Sequence, residues 1–165
     1  MEDIDYFRDT PLRLMGYANE VGESFKPLIS RSAYLLSYAL AGTYVLGDSY
    51  DKYERERRAD RSDDAALVSG VKALVWQAFA SVIIPGFVVN RIVATAGYFT
   101  SSTSLSNPAA KRYAPTLVGL ASIPFIVKPI DAAVDKMMET YVDPVLDRAV
   151  PEGPRCRPPS SSLPE

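Results

Sequence analysis

Three long stretches without a charged residue divide this chain, and they constrain its fold more than any other feature. They cover residues 32–47, 73–90 and 113–127 of 165. A helix needs about 20 consecutive apolar residues to cross a hydrocarbon core, and tilting or apolar flanks accommodate a slightly shorter stretch. The polar residues are segregated between these stretches, which favours a bilayer over a soluble core. The pattern predicts an all-α, multi-helix membrane protein with about three apolar spans.

The scarcity of two residue types limits the chemistry of the chain. Histidine is absent and cysteine occurs once, as Cys156. The commonest proton carrier and metal ligand at neutral pH is therefore missing, and one cysteine forms neither an intrachain disulfide nor a thiolate metal cage. The net charge is −2 and no basic patch stands out, which argues against nucleic acid. We expect no metal, no cofactor and no nucleic-acid partner.

The sequence signatures of enzymes fail when their residues are checked one by one. Gly42 and Gly47 have the spacing of a phosphate-binding loop, but Asp48 follows where the lysine of such a loop is required. Asp131 and Asp135 lie at the helical i, i+4 spacing, which is typical of a solvated face rather than of an acid and base pair. We therefore predict that the protein is not an enzyme and has no small-molecule substrate.

Two segments outside the apolar stretches have the periodicity of amphipathic helices. Residues 11–26 and residues 130–145 each place apolar side chains three or four positions apart, with most charges on other faces. Both helices are expected to lie against the membrane or the bundle. The apolar face predicted for the first helix consists of Leu14, Ala18, Val21 and Phe25.

The end of the chain differs in composition from the rest. Residues 151–165 are rich in proline and serine and contain too little apolar surface to fold, so a disordered tail is predicted. The predicted organisation is one helical membrane domain, residues 1–150, followed by this tail. The opening residues are acidic, which argues against a cleaved secretory or mitochondrial presequence.

Proline and charge patterns predict where the helices are interrupted. Pro85 and Gly86 are expected to break or kink the second apolar helix, and Asn90 and Arg91 to mark its exit from the membrane. In the third stretch, prolines at 115, 124 and 129 interrupt regular helix, so a span there requires a kink. Residues 48–64, with charges of both signs, are predicted to be a solvated extension or loop. Residues 92–110 are too polar for a clear span and remain open between a helix with a loop, a re-entrant piece and a buried segment.

Two features within the apolar stretches indicate contacts between helices. Ala33, Ser37 and Ala41 form a stripe of small residues that would allow another helix to approach closely. Gln77 carries an amide into the second stretch, and an amide in hydrocarbon usually bonds to a neighbouring helix. Helix packing accounts for both features without a specific binding function.

Four groups of residues resemble one known family in their order and spacing. They are RDT at 8–10 with GYANEVGE at 16–23; LSY at 36–38 with YVL at 44–46; VWQA at 75–78 with IPGF at 84–87 and NR at 90–91; and IP at 123–124 with PID at 129–131. Together they resemble the mitochondrial fission process protein 1 family, small integral proteins of the mitochondrial inner membrane. The resemblance runs from about residue 8 to residue 135.

The resemblance implies a multi-pass protein of the mitochondrial inner membrane that promotes mitochondrial division and maintains inner-membrane integrity, without catalytic residues. Its expected partners are the lipid bilayer and other membrane helices or proteins of the inner membrane. Two alternatives remain, an accessory subunit or adaptor of an inner-membrane complex and a soluble helical interaction domain. The residues expected to serve helix packing or interaction are Asn19, Glu20, Ala33, Ser37, Ala41, Gln77, Pro85, Asn90, Arg91 and Asp131.

Overall fold

The computed structural model of the chain describes residues 7, 13–59, 62–102 and 107–148. Every regular element within these residues is a helix, which confirms the predicted all-α fold. The predicted tail at 151–165, Cys156 and the start of the first amphipathic helix at residues 11 and 12 lie outside the described residues. The elements are α1 (Arg13–Gly16), α2 (Ala18–Phe25), α3 (Arg31–Arg58), α4 (Asp63–Gln77), a π-helical segment (Ala78–Ile83), α5 (Ile84–Ser102), α6 (Pro108–Met137), a second π-helical segment (Met138–Val142) and α7 (Asp143–Asp147).

Polar side chains fix where α3, α4 and α6 begin. Ser30, Ser62 and Asn107 each stand immediately before a helix. Their side-chain oxygens accept hydrogen bonds from backbone N–H groups of the first turn, at 3.2, 3.2 and 2.9 Å. Such N-caps satisfy amides that have no partner inside the helix, and each contributes about 1 kcal/mol.

Two continuous helical rods, Asp63–Ser102 and Pro108–Asp147, are long and apolar enough to cross a membrane. They pack side by side as an antiparallel hairpin, as two contacts show. Val93 lies against Gly119 toward the end where the rods are connected, and the Trp76 Nε1 donates to the Asp135 Oδ1 at 2.7 Å toward the other end. The first uncharged stretch, residues 32–47, lies in α3, which is not one of these two rods. That stretch is uncharged, but its tyrosines, serines and glycines make it less apolar than the other two.

The helical rods continue through their prolines, although the sequence predicts interruptions there. A π-helical segment lies directly before Pro85, where the Ile84 N–H bonds to the Phe79 carbonyl five residues back. The second π-helical segment lies directly before Pro144. A wider π turn accommodates the missing proline N–H without breaking the rod. The predicted break at Pro85 is therefore wrong, because α5 continues from Ile84 to Ser102. The exit from the membrane at residues 90 and 91 stays a prediction.

The third apolar stretch is likewise one helix. Pro115, Pro124 and Pro129 all lie inside α6, which runs without interruption from Pro108 to Met137. Of residues 92–110, the part up to 102 continues α5, the part from 108 begins α6, and residues 103–106 lie outside the described residues. The second predicted amphipathic segment is the end of this rod rather than a separate helix. Its Ile130, Val134 and Met138 are buried with Ala80 in the apolar core.

The first amphipathic helix packs against the bundle with its polar face. Leu14 is 70% exposed and Val21 is 39% exposed, whereas Glu20 is only 1% exposed. The helix α2 lies among α3, α5 and α6 and turns its polar face toward them. The buried residues of α2 are Asn19, Glu20, Gly22, Glu23 and Ser24.

The charged segment after the first stretch is helical, and it is only partly solvated. α3 continues to Arg58, with an ion pair of 2.7 Å between Arg55 Nε and Asp51 Oδ2 at the i, i+4 spacing. Asp48 is 1% exposed, which contradicts the prediction that the whole of 48–64 is solvated. Residues 60 and 61 of this segment lie outside the described residues.

Candidate functional site

Glycines allow the backbone of α2 to approach its neighbours closely. A Cβ atom added at Gly22 would lie 1.9 Å from the Ser37 Oγ on α3. A Cβ atom added at Gly119 on α6 would lie 2.8 Å from the Ser24 Oγ, and one at Gly86 on α5 would lie 3.1 Å from the Asn19 Nδ2. Small residues at these crossings are what membrane helix interfaces use for close packing. The polar face of α2 is therefore held against three helices at once.

Replacing Gly22 with alanine is expected to destabilise the fold by about 1 to 3 kcal/mol, because the added methyl group overlaps Ser37. Gly42 is the matched control, since it also lies within a helix but has nothing within 4 Å of an added Cβ. Gly42→Ala should stabilise the fold by about 0.5 to 1 kcal/mol through helix propensity. Thermal unfolding of both purified variants in detergent tests the contrast, and equal shifts in Tm would contradict the close crossing.

Glu23 is the centre of a hydrogen-bonded cluster that joins three helices, α2, α3 and α5. Its Oε1 accepts from the Tyr34 hydroxyl at 2.5 Å and from the Tyr38 hydroxyl at 2.6 Å, both on α3. Its Oε2 accepts from the Asn90 amide on α5 at 2.6 Å and from the Lys26 Nζ at 3.4 Å. A carboxylate with four donors is fully satisfied although it is only 3% exposed.

These partners keep Glu23 ionised. Burial alone would raise the pKa of the Glu23 carboxyl, but the hydrogen bonds from Tyr34, Tyr38 and Asn90, together with Lys26, hold that pKa below its ordinary value. Burial likewise opposes the charge of Lys26, yet the Glu23 carboxylate raises the pKa of Lys26 overall. The pair is therefore charged at neutral pH and ties the end of α2 to α3 and α5.

Glu20, one turn earlier, has the opposite environment. Both of its carboxyl oxygens are buried and neither has a hydrogen-bond partner. Burial, and to a smaller extent the nearby charge of Asp131, raises the pKa of Glu20 to about 8. The neighbouring Asn19 amide instead donates to the Val82 carbonyl in the first π-helical segment, at 3.1 Å. Two carboxyl groups one turn apart on α2 therefore have different protonation states at neutral pH, one neutral and one charged.

A second polar cluster joins α3 to the first rod. The Gln77 Nε2 donates to the Asp48 Oδ2 at 2.8 Å, and the Ser81 hydroxyl donates to the Gln77 Oε1 at 2.6 Å. Lys52 Nζ lies 3.7 Å from the Asp48 Oδ1. Gln77 is 2% exposed, so its amide is buried between helices and bonded to a neighbouring helix.

Replacing Gln77 with leucine is expected to cost about 1 to 3 kcal/mol, because it leaves the buried Asp48 Oδ2 without its donor. Adding Asp48→Leu to this variant should recover part of the loss, since removing both partners is less costly than orphaning one. A double-mutant cycle in detergent measures the coupling. Strictly additive effects of the two substitutions would contradict a direct interaction.

The structure brings together some of the residues singled out in the sequence and separates others. Asn19, Glu20, Ser37, Pro85 and Asn90 lie around α2, and Asp131 lies close enough to affect the Glu20 carboxyl. Gln77 belongs to the second cluster. In the small-residue stripe, Ala41 is fully buried and Ser37 meets Gly22, whereas Ala33 is exposed. Arg91 is exposed, donates to the Asn90 Oδ1 at 2.7 Å and lies over the Phe87 ring.

Sequence reasoning missed several members of the two clusters. Glu23, Tyr34 and Tyr38 were not singled out, although they surround the best-connected carboxylate. Asp48 and Ser24 were missed as well. One signal was available, because Asn19, Glu20 and Glu23 recur at helical spacing and define a polar face as continuous as the apolar one.

Among the described residues, neither cluster provides the set of ligands that a metal site needs. In the part of the chain that the structure describes, no group of three or more histidine, cysteine, aspartate or glutamate side chains is placed to hold a metal ion. Glu23 has its hydrogen-bonding capacity taken up by neighbours, and Glu20 is closed off from solvent. The arrangement fixes α2 within the bundle and holds a proton on a buried carboxyl group.

Comparison with known proteins identifies the family. The family model described as Mitochondrial 18 KDa protein (MTP18) matches residues 6–67 and 55–138. The chain belongs to this family. The match covers both polar clusters and most of both rods, and it confirms the resemblance found in the sequence. Proteins of this family are not members of a known enzyme class.

Several curated relatives are similar over most of their length. Mitochondrial fission process protein 1 of Danio rerio is 40% identical over 141 residues, which cover 83% of this chain and 86% of the relative. The protein of the same name from Homo sapiens is 40% identical over 140 residues, which cover 82% and 84%. The protein from Caenorhabditis elegans is 39% identical, with the same coverage. No solved structure matches the chain.

Proposed function

We propose that this protein acts in mitochondrial fission as a non-enzymatic, multi-pass protein of the mitochondrial inner membrane. The names of its relatives support the process and the organelle. The physical character of the molecule supports the membrane. It acts through contacts of its helices with other proteins of that membrane rather than through chemistry on a substrate.

One observation carries the membrane part of this proposal, namely that most of the apolar surface of the two rods is exposed. In the most apolar 18-residue stretch of each rod, only 17% is buried within the protein. The core helix of a soluble protein is mostly buried. Carboxylates and amides are buried beside the small apolar core, on α2 and between α3 and α4. A soluble protein would expose these apolar side chains to water at large cost, whereas a bilayer accommodates them. Large apolar side chains that are more than half exposed include Leu36, Leu46, Phe87, Phe99, Leu117 and Phe125.

The membrane part is tested by alkaline carbonate extraction of isolated mitochondria followed by subfractionation. After carbonate extraction the protein is expected in the pellet, together with an integral inner-membrane marker. In intact mitochondria it is expected to be protected from added protease. Recovery in the carbonate supernatant would favour a soluble helical interaction domain instead. Pelleting in a fixed ratio with one large complex would favour an accessory subunit.

The fission part is tested by deleting the gene and imaging the mitochondrial network. An elongated network is expected after deletion, and a fragmented one after overexpression. Re-expression of the wild-type chain should restore normal morphology, which controls for indirect effects. An unchanged network in a clean deletion would contradict the proposed role.

A further inference from the structure

A groove of about 570 Å³ opens between the end of α2 and the hairpin of α5 and α6. Its floor is made of small or apolar residues, among them Val93, Ala94, Gly97 and Pro115. Its rim carries three basic residues, Lys26, Lys111 and Arg112, and no acidic residue lines it. The groove therefore combines an apolar bed with a strongly positive edge.

Two of the three cations are available to a ligand. Lys26 is paired with Glu23, at 3.4 Å, and also lies over the Tyr34 ring. In the part of the chain that the structure describes, neither Lys111 nor Arg112 forms an ion pair with a carboxylate, and the Arg112 guanidinium lies 5.8 Å from the centroid of the Tyr113 ring. Two uncompensated positive charges next to each other favour an anion.

Aromatic side chains place the groove at one edge of the apolar surface. Tyr98 and Phe99 on α5 are 70% and 63% exposed, and Tyr113 on α6 is 48% exposed. They are close along the chain to Ser101 and Arg112 of the groove, within a few residues of the point where the two rods are connected. Tyrosine and other aromatic side chains concentrate at the level of the lipid headgroups. The basic rim is therefore at the depth where phosphate groups lie.

We propose that this groove binds one anionic phospholipid, with the headgroup phosphate held by Lys111 and Arg112 and an acyl chain lying on Val93, Ala94 and Gly97. The match of charge at the rim and of apolar surface on the floor selects a lipid over a free anion, which would use only the rim. Basic pockets between membrane helices hold anionic headgroups in this way. The proposal rests on the membrane part of the proposed function and adds a specific lipid site to it.

The test measures lipid binding to the purified full-length chain in detergent, by native mass spectrometry with cardiolipin or phosphatidylcholine added. Cardiolipin should bind the wild type more tightly than phosphatidylcholine. The double variant Lys111→Ser/Arg112→Ser should bind cardiolipin about 25-fold more weakly, at about fivefold for each basic residue. The matched control, Lys136→Ser/Arg148→Ser, removes the same charges from exposed positions outside the groove and should bind like the wild type.

A second variant separates a lipid from a free anion. An alanine methyl at Gly97 would meet only Pro115, at 3.9 Å, so Gly97→Leu fills the floor without a clash at Cβ. Gly97→Leu should weaken cardiolipin binding, because the leucine occupies the acyl-chain position while Lys111 and Arg112 keep their charges. Three results would each overturn the site. The first is undiminished cardiolipin binding by Gly97→Leu, and the second is displacement of the lipid by millimolar inorganic phosphate. The third is an equal loss of binding in the rim and control double variants. If the protein resists carbonate extraction but shows any of these results, the lipid site fails and the membrane proposal stands.

Discussion

Replacing Glu20 with glutamine is expected to stabilise the fold at pH 8 and above and to remove most of its dependence on pH between 4.5 and 8. The pKa of the buried carboxyl is raised to about 8 from an ordinary 4.5. The folded protein therefore keeps a proton that the unfolded chain loses. The contribution of this group to stability is complete below pH 4.5, falls as the pH rises and is lost once the pH passes 8.

The size of the Glu20 effect follows from the shift in pKa. One pKa unit corresponds to 1.36 kcal/mol, so the full range amounts to on the order of 5 kcal/mol at its upper limit. The change in stability is measured by thermal unfolding in detergent across pH 5 to 9. The fluorescence of Trp76, the single tryptophan, monitors the unfolding. The control is Glu139→Gln, which neutralises an exposed carboxylate. Parallel pH profiles for the wild type and Glu20→Gln would contradict a neutral, buried Glu20.

Replacing Glu23 with alanine is expected to destabilise the fold by about 3 to 5 kcal/mol, in contrast to the gain at Glu20. The substitution removes the shared acceptor of the Tyr34 and Tyr38 hydroxyls and of the Asn90 amide. Donors left without a partner in a buried site are costly. The Lys26 ammonium would lose its pair as well.

Three further variants separate the acceptor role of Glu23 from its charge. Glu23→Gln keeps one acceptor oxygen and should lose less stability than Glu23→Ala. Tyr34→Phe and Tyr38→Phe each remove one donor and should cost about 1 kcal/mol or a little more. Glu139→Ala again serves as the exposed control. A loss at Glu23→Ala no larger than that of the control would show that the cluster contributes nothing to stability.

The helical character of the chain could be predicted from its sequence because it depends on local spacing. Uncharged stretches and three- or four-residue periodicity predict helices in any solvent. Ile130 and Val134 were placed on one face by this spacing, and both are buried in the core. The family could also be predicted, since it depends on the identity and order of short groups such as residues 16–23.

The orientation of α2 could not be predicted in the same way. Periodicity shows that the helix has a polar and an apolar face, but it does not show which face meets the surroundings. In water the apolar face is buried, and in a bilayer that preference is reversed. Leu14 and Val21 share the predicted apolar face and are exposed, whereas Glu20 and Glu23 lie inside.

The prolines and Asp48 show two other limits of sequence reasoning. Proline was read as a break, yet a widened π turn before Pro85 keeps the rod continuous. Asp48 was read with the charged residues that follow it, although Gln77, 29 positions away, supplies its donor. Both outcomes depend on backbone geometry or on contacts between distant helices, which local composition does not encode.

The central claim is that the exposed apolar surface of the two rods faces lipid while the polar face of α2 points inward. Spin labels at Phe87→Cys and Phe125→Cys, in a Cys156→Ser background reconstituted into vesicles, test it directly, with Ser62→Cys as the water-exposed reference. Phe87 and Phe125 are 65% and 78% exposed on the two rods. Our account predicts that both labels are relaxed strongly by oxygen, which dissolves in hydrocarbon, and weakly by a water-soluble nickel complex. Relaxation by the nickel complex as strong as at residue 62 would contradict the account.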